Sequence, residues 1–196
     1  LGVDNERDAL GLLVAAVRET FEEVGLLLAV HADGSPVRQQ DLRSQSFRNM
    51  RAQLAGDRSA DWRAWLDEHG LILDLRALSL WSWWVTPEGS PQRFDTRFFI
   101  AQAPEDQQAS PDTVEATEVT WVTPEGALQA QRRGERTIIF PTRRNLTSLA
   151  GHPSAGHALD AARTGRVDRR RILPELVRRD GQVLVRHPFE SEPEPI

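Results

Sequence analysis

The first regular pattern in the chain is a stripe of apolar side chains. In residues 7–24 they recur at spacings of three and four positions, which is the period of an amphipathic helix. Asp4 or Asn5 can cap the start of this helix, and Gly25 stands where a left-handed residue would end it. The apolar run that follows, residues 26–30, predicts a short buried strand.

The middle of the chain contains one segment with helical spacing, followed by two segments with strand-like alternation. Residues 31–70 are polar and rich in Gln and Arg, with large apolar residues at helical spacing, and predict two helices inserted between strands. Residues 71–85 alternate well enough for a strand, which the turn signal PEGSP ends. Strict alternation in residues 93–101 predicts a central or half-buried strand.

The remaining pattern predicts a strand, two helices and a hairpin. Residues 115–122 indicate the strand, and Pro124 in a first turn opens a helix over residues 125–131. A second helix covers residues 141–150. Past that point the pattern loosens, and then two apolar runs flank a polar turn, which favours a hairpin before a disordered tail in SEPEPI.

The composition is that of a globular chain. With 39% hydrophobic and 27% charged residues, we expect residues 1–150 to form one domain and residues 151–196 a C-terminal extension. No stretch approaches the roughly 18 consecutive apolar residues of a membrane span. The net charge of −5 disfavours a general nucleic-acid-binding role. Because the chain starts at Leu1 without Met, we expect the native N-terminus to lie upstream.

All 24 basic residues are arginine, and the sequence contains no Lys, Cys or Tyr. This excludes Schiff-base and phosphate-loop lysines, a thiolate nucleophile, disulfides and cysteine zinc sites. A GC-rich coding sequence explains the composition. Its consequence is that any bound phosphate must be held by arginine, backbone N–H groups or a metal ion.

Three glutamates and one arginine are concentrated near the end of the predicted first helix. Glu19 lies three and four residues before Glu22 and Glu23, so the three carboxylates share the face opposite the apolar stripe. Arg18 can pair with Glu22, but one arginine does not neutralise three carboxylates. Hard oxygen ligands without thiols or clustered histidines favour Mg²⁺ or Mn²⁺ as the missing partner. The alternative is a solvated acidic helix face.

This segment resembles the second half of the Nudix box, R-E-U-x-E-E-x-G-U, in which U is aliphatic or small. The residues in those places are Arg18, Glu19, Thr20, Phe21, Glu22, Glu23, Val24, Gly25 and Leu26. The resemblance implies that Glu19 is a metal ligand or base and that Arg18 orients it. It implies that Glu22 and Glu23 bind the metals. It also implies an α/β fold, the Nudix α/β/α sandwich with a mixed sheet, carrying a helical insertion after the Nudix helix and a C-terminal extension.

The first half of the box departs from the family pattern, because Leu10 and Asp4 stand where a Glu and a Gly are expected. An insertion that separates the glycine loop from the helix is typical of the branch of the peroxisomal coenzyme A diphosphatase and its bacterial relatives. Further motifs similar to that branch are WSWWVTP (81–87), RFDTRFFIA (93–101), Asp112 with Glu115, WVTPEGAL (121–128) and Pro141 with Thr142. The resemblance implies hydrolysis of coenzyme A or acyl-coenzyme A to a 3′-phosphorylated adenosine diphosphate and a phosphopantetheine product.

Five residues outside the box are further candidates for the site. Glu115, which the branch motif favours, or Glu118 is expected to be an additional metal ligand or the base, with an exposed acidic loop as the alternative. Arg93 and Arg97 are candidates for gripping substrate phosphates, unless they form an Arg-Asp-Arg ladder on the sheet. Trp84 is a candidate for stacking on a base, with core packing as the alternative.

The expected function is therefore metal-dependent hydrolysis of a small-molecule nucleotide or coenzyme A-type substrate. The alternatives are a Nudix pyrophosphatase for ADP-ribose, nucleotide sugars or dinucleoside polyphosphates, a non-catalytic ligand-binding Nudix domain, and an interaction protein. A homodimer is the expected assembly, although the residues leave the oligomeric state open. The chain ends in EPEPI rather than S-K-L, so we expect a cytoplasmic bacterial protein rather than a peroxisomal one.

Overall fold

The computed structural model describes residues 1–56, 60–113 and 116–195, and the chain forms two compact units. The unit that we call the helical unit comprises Val3–Leu78 and Ala101–Thr120. The unit that we call the sheet unit comprises Leu1–Gly2, Ser79–Ile100 and Trp121–Ile196. Within the described ranges, no helix combines the length and the apolar character needed to cross a membrane.

The helical unit is built around the predicted first helix. Its elements are α1 (Glu6–Val24), β1 (Ala29–His31), α2 (Gln39–Leu42), α3 (Gln45–Gly56), α4 (Trp62–Glu68), β2 (Leu71–Leu73) and a 3₁₀ helix (Leu75–Ala77). Asn5 caps α1 by accepting a hydrogen bond from the Asp8 backbone N–H at 2.9 Å. Gly25 ends the helix with φ 70°, a conformation that favours glycine. Strands β1 and β2 pair antiparallel.

Packing of the insertion against α1 forms the core of the helical unit. Phe21 on α1 is 1% exposed and stacks on Trp62 and Trp65 of α4, with ring centroids 5.6 and 6.2 Å apart. Phe47 of α3 meets Trp65 edge-on at 4.7 Å. The inserted helices therefore cover the apolar stripe of α1 around Phe21, which leaves the opposite face of this part of α1 for its charged residues.

Three details of the helical unit differ from the sequence prediction. The described part of the insertion contains three helices rather than two, because α2 forms a separate turn. The strand predicted over residues 26–30 begins only at Ala29, the first residue of β1. The backbone N–H and carbonyl of Leu27 bond to the buried side-chain amide of Gln107 and not to a neighbouring strand. The predicted strand over residues 71–85 is interrupted by the 3₁₀ helix, whose Leu75 packs against the core.

The sheet unit contains the mixed sheet expected of the α/β fold. Its elements are β3 (Ser79–Val85), β4 (Asp95–Ile100), α5 (Pro124–Arg132), α6 (Phe140–Ala150), α7 (Ala155–Arg163), β5 (Arg171–Ile172), β6 (Glu175–Arg179), β7 (Gln182–Arg186) and β8 (Glu194–Pro195). The first sheet has the order β4-β3-β5, in which β3 pairs antiparallel with β4 and parallel with β5. The second sheet, β6-β7-β8, is antiparallel and contains the C-terminal hairpin.

Three segments toward the C-terminus also differ from the prediction. Residues 116–122 form no strand in the described structure, and Trp121 at the end of this segment is 74% exposed. The sequence pattern missed α7, because its buried face consists mainly of alanines that give a weak hydrophobic signal. The tail predicted to be disordered pairs with β7 as β8, and Glu194 accepts hydrogen bonds from Arg143 and Arg144.

Candidate active site

The last two turns of α1 carry the charged residues that the sequence singled out. Because Phe21 faces the core, the helical period turns Arg18, Glu19 and Glu22 to the other side of the helix. The Glu19 side chain is 48% exposed, and that of Glu22 is 14% exposed. The structure therefore brings these three groups together on one partly shielded helix face, as the spacing predicted for them.

Arg18 organises this face by contacting two carboxylates at once. Its guanidinium donates to Glu19, and its Nη1 lies 3.3 Å from Oε2 of Glu22 at the i,i+4 spacing. One arginine thus orients both the first glutamate and one of the following pair. This contact agrees with the role that the Nudix resemblance implies for Arg18.

The C-terminus of α1 is fixed by a second chain segment of the helical unit. Its last carbonyl groups need partners from outside the helix. The Ser110 N–H donates to the Val24 carbonyl at 2.9 Å, and the Asp112 N–H donates to the Glu23 carbonyl at 3.1 Å. The segment that leads toward Glu115 is therefore bonded directly to the glutamate-bearing end of α1.

Arg51 of α3 completes this end of α1, and the sequence pattern did not single it out. Its Nε donates to the Glu22 carbonyl and its Nη2 to the Glu23 carbonyl, both at 3.0 Å. Burial lowers the pKa of the Arg51 guanidinium, while the Asp112 carboxylate opposes that shift. No local pattern in the sequence marks this role, because Arg51 donates to backbone carbonyls that lie 29 and 28 positions away.

Hydrogen bonds join the described residues on either side of positions 114 and 115. Oδ1 of Asp112 accepts from the Ala116 N–H at 2.7 Å, and the Thr113 N–H donates to the Ala116 carbonyl at 2.9 Å. Glu115 itself lies outside the described residues, so its role stays a prediction. Glu118 lies on the exposed, irregular segment that follows.

The donor set on α1 fits a hard divalent cation. Glu19, Glu22 and Glu23 offer only carboxylate oxygens, which Mg²⁺ and Mn²⁺ prefer, and the sequence has no thiolates to compete. In the structure, Glu19 and Glu22 share Arg18, and the described ranges contain no ready cluster of three or more His, Cys, Asp or Glu side chains. These residues therefore fit a divalent cation through the chemistry of their carboxylate oxygens and their position on one helix.

The candidate substrate-binding residues all belong to the sheet unit. The Arg97 side chain is 7% exposed, pairs with Asp95 at 2.6 Å and lies over the Trp83 ring at 4.3 Å. Arg93 is exposed, and its Nε donates to the Thr86 carbonyl at 3.2 Å. Trp84 is buried edge-on against Phe140 at 5.6 Å. Arg97 and Trp84 thus have the contacts of packing residues, whereas the Arg93 side chain reaches solvent.

Comparisons with known proteins agree with these features. A model of the family described as the NUDT19 Nudix domain matches residues 5–149. The chain is 32% identical over 126 residues to the acyl-coenzyme A diphosphatase NUDT19 of Xenopus laevis, covering 59% of this chain and 33% of that protein. It is 26% identical over 152 residues to the putative nudix hydrolase 7 of Caenorhabditis elegans, covering 76% and 48%. It thus spans a third to about half the length of these curated relatives.

A solved structure extends the likeness to the fold. The crystal structure of a NUDIX hydrolase from Alicyclobacillus acidocaldarius superposes with a TM-score of 0.63 at 29% identity, covering 82% of this chain and 69% of that one. None of these matches supports the homodimer expected from the sequence. Nudix hydrolases generally use divalent metal ions, in agreement with the ligand chemistry of α1. The family match, the fold and the glutamates of α1 together show that the chain belongs to the Nudix hydrolases, within the family of NUDT19 Nudix domains.

Proposed function

We propose that the chain hydrolyses the diphosphate linkage of coenzyme A or acyl-coenzyme A with the help of Mg²⁺ or Mn²⁺. The observation that carries the proposal is the set of one arginine and three glutamates on the last two turns of α1. Arg18 contacts the Glu22 carboxylate of this set, and Arg51 donates a hydrogen bond to the Glu22 backbone carbonyl. The relative from Xenopus laevis named as an acyl-coenzyme A diphosphatase supports the choice of substrate.

The proposed mechanism assigns tasks to the charged residues of α1, to Glu115 and to Arg93. Glu19, Glu22 and Glu23 would hold the ion, which supplies polarisation of the diphosphate and a lower pKa for a bound water. Arg18 keeps Glu19 and Glu22 oriented. Glu19 or Glu115 accepts a proton from the water that attacks phosphorus, and the bond between that phosphorus and the bridging oxygen breaks. Arg93 is the proposed contact for a substrate phosphate, because its side chain is exposed and always charged.

An apolar cavity in the sheet unit supports an acylated substrate. Its volume is about 420 Å³, within the usual range for ligand sites, and none of the described residues that line it is charged. Its wall includes Trp84 and Phe98, and three incompletely covered apolar side chains meet there: Phe94, Ile139 and Leu176. A surface of this kind suits an alkyl chain.

The cavity leads to a prediction about chain length. Leu176→Ser should reduce the gain in affinity from free coenzyme A to a medium-chain acyl-coenzyme A, because it removes an apolar wall of the cavity. Val183→Ser is the matched control, since both side chains are 41% exposed and Val183 does not line the cavity. Titrations of both variants with coenzyme A and its acyl series measure the effect. An equal loss in the two variants would remove the cavity from the proposal.

A substrate panel tests the proposed reaction itself. We expect purified protein with Mg²⁺ or Mn²⁺ to convert coenzyme A into a 3′-phosphorylated adenosine diphosphate and a phosphopantetheine product, identified by mass spectrometry. ADP-ribose, nucleotide sugars and dinucleoside polyphosphates belong in the same panel. Faster turnover of any of these would replace the proposed substrate, and metal binding without turnover of any diphosphate would indicate a ligand-binding Nudix domain.

A further inference from the structure

We propose that Arg51 is a positioning residue, which fixes the metal-binding end of α1 and thereby makes the helical insertion part of the catalytic apparatus. This inference rests on the proposed function, because it concerns the same glutamates. It assigns a task to α3 (Gln45–Gly56), a helix that lies outside the residues of the Nudix box.

The end of α1 poses an electrostatic problem. A helix C-terminus has partial negative charge, which favours nearby cations and disfavours carboxylates. The last turn of α1, all of which the structure describes, contains Glu22 and Glu23 and carries no basic residue. The two glutamates therefore lie where the helix end disfavours their charge, and a cation placed at this end offsets part of that cost.

Arg51 supplies that cation and does so through the glutamates' own backbone. The carbonyl groups that accept from its Nε and Nη2 belong to Glu22 and Glu23, at 3.0 Å each. A shift of either carbonyl rotates the peptide that carries the ligand side chain. Holding these two carbonyls therefore limits where the two carboxylates can lie.

The same guanidinium reaches the second acidic segment of the helical unit. Its Nη1 donates to the Ser110 hydroxyl at 2.8 Å and its Nη2 to the Ser110 carbonyl at 2.7 Å. The Ser110 N–H donates in turn to the Val24 carbonyl. Two residues further along the chain, the Asp112 N–H donates to the Glu23 carbonyl. One planar group thus fixes α1 relative to the segment that leads to Glu115, which the single ammonium group of a lysine cannot do.

The surroundings show that Arg51 occupies a fitted position. α3 is anchored by Met50 and Leu54, which flank Arg51 and are buried in the core of the helical unit. On the other side, a Cβ placed on Gly25 would lie 2.7 Å from Nη1 of Arg51. Glycine at this position therefore provides both the left-handed turn and the space for the guanidinium.

The test measures metal binding as well as activity. Arg51→Lys and Arg51→Ala are compared with Arg63→Lys, a change at a 92% exposed arginine of the same insertion. We expect both Arg51 variants to bind Mn²⁺ more weakly by roughly tenfold or more. This is the usual loss of metal affinity when a residue that orients the metal ligands, without binding the metal itself, is changed. kcat should fall more than KM rises. Added guanidinium should restore part of the Mn²⁺ affinity of Arg51→Ala, and Arg63→Lys should behave as the wild type.

The outcomes separate this inference from the proposed function. If the wild type binds Mn²⁺ and Arg51→Lys binds it equally well with a lower thermal midpoint, Arg51 has only a structural role and the inference is overturned. If the wild type itself neither binds Mn²⁺ nor turns over a diphosphate, the proposed function is overturned and the inference with it. Weaker binding at an unchanged thermal midpoint, with rescue by guanidinium, supports the positioning role.

Discussion

Glu23→Gln is expected to lower metal-dependent turnover on the order of a hundredfold or more, the size seen when one electrostatic contact to the transition state is removed. Glu22→Gln should have a comparable effect. The substitution keeps the shape of the side chain but removes the charge that would attract the cation. The measurement is the rate of diphosphate cleavage at saturating Mg²⁺ or Mn²⁺, together with thermal unfolding of each variant.

Stability should respond in the opposite direction to activity. Both glutamates lie in the last turn of α1, where a carboxylate is unfavourable. Neutralising either one removes that cost, which for Glu22 offsets the loss of its contact with Arg18, so the thermal midpoint should be unchanged or slightly raised. Glu6→Gln is the matched control, because Glu6 lies in the first turn of the same helix, where its charge is favourable. It should cost up to about 1 kcal/mol without affecting turnover. Unaltered turnover in Glu22→Gln or Glu23→Gln would refute the assignment of these residues as ligands.

Phe21→Ala is expected to lower the free energy of unfolding of the helical unit by about 3–5 kcal/mol. Phe21 is 1% exposed and packs against Trp62 and Trp65 of the insertion, which also stack on each other, so truncation leaves a cavity that these rigid neighbours cannot fill. Chemical denaturation, followed by near-ultraviolet circular dichroism, measures the loss. Because Trp62 and Trp65 contact Phe21 directly, the aromatic signal should change in the native state as well.

Leu10→Ala provides the control for this prediction. Leu10 lies on the same helix but is 52% exposed, so its truncation should change stability by about 0.5 kcal/mol or less. Equal effects of the two changes would mean that the insertion does not cover α1 at Phe21. The expected difference between the two variants thus tests the packing that turns the glutamates away from the core.

Local patterns in the sequence are enough to determine α1 and its charged face. Spacings of three and four positions define a helix independently of the rest of the fold. Asn5 begins this helix through a hydrogen bond to a residue three positions away, and Gly25 ends it through its own left-handed backbone angles. The same periodicity groups Arg18 with Glu19 and Glu22. The Nudix family followed from the box motif, and the mixed sheet was what that resemblance implied.

The elements that the sequence misplaced depend on partners that are distant along the chain. Leu27 has the pattern of a strand residue, but its backbone groups bond to the side chain of Gln107, 80 positions away. Residues 116–122 have a strand pattern and find no strand to pair with in the described structure. The buried alanines of α7 can be identified as core residues only from the surface that they contact, which includes Trp81.

The sequence by itself determined which residues form the charged face of α1 and what chemistry they offer, because helical periodicity and ligand type are local properties. Only the tertiary structure decided what holds that face in place. Arg51 lies 28 positions beyond Glu23, on a different helix, and its bonds go to backbone carbonyls that have no sequence signature. The position of a helix end in a fold depends on such long-range partners, since no residue within the helix can supply them.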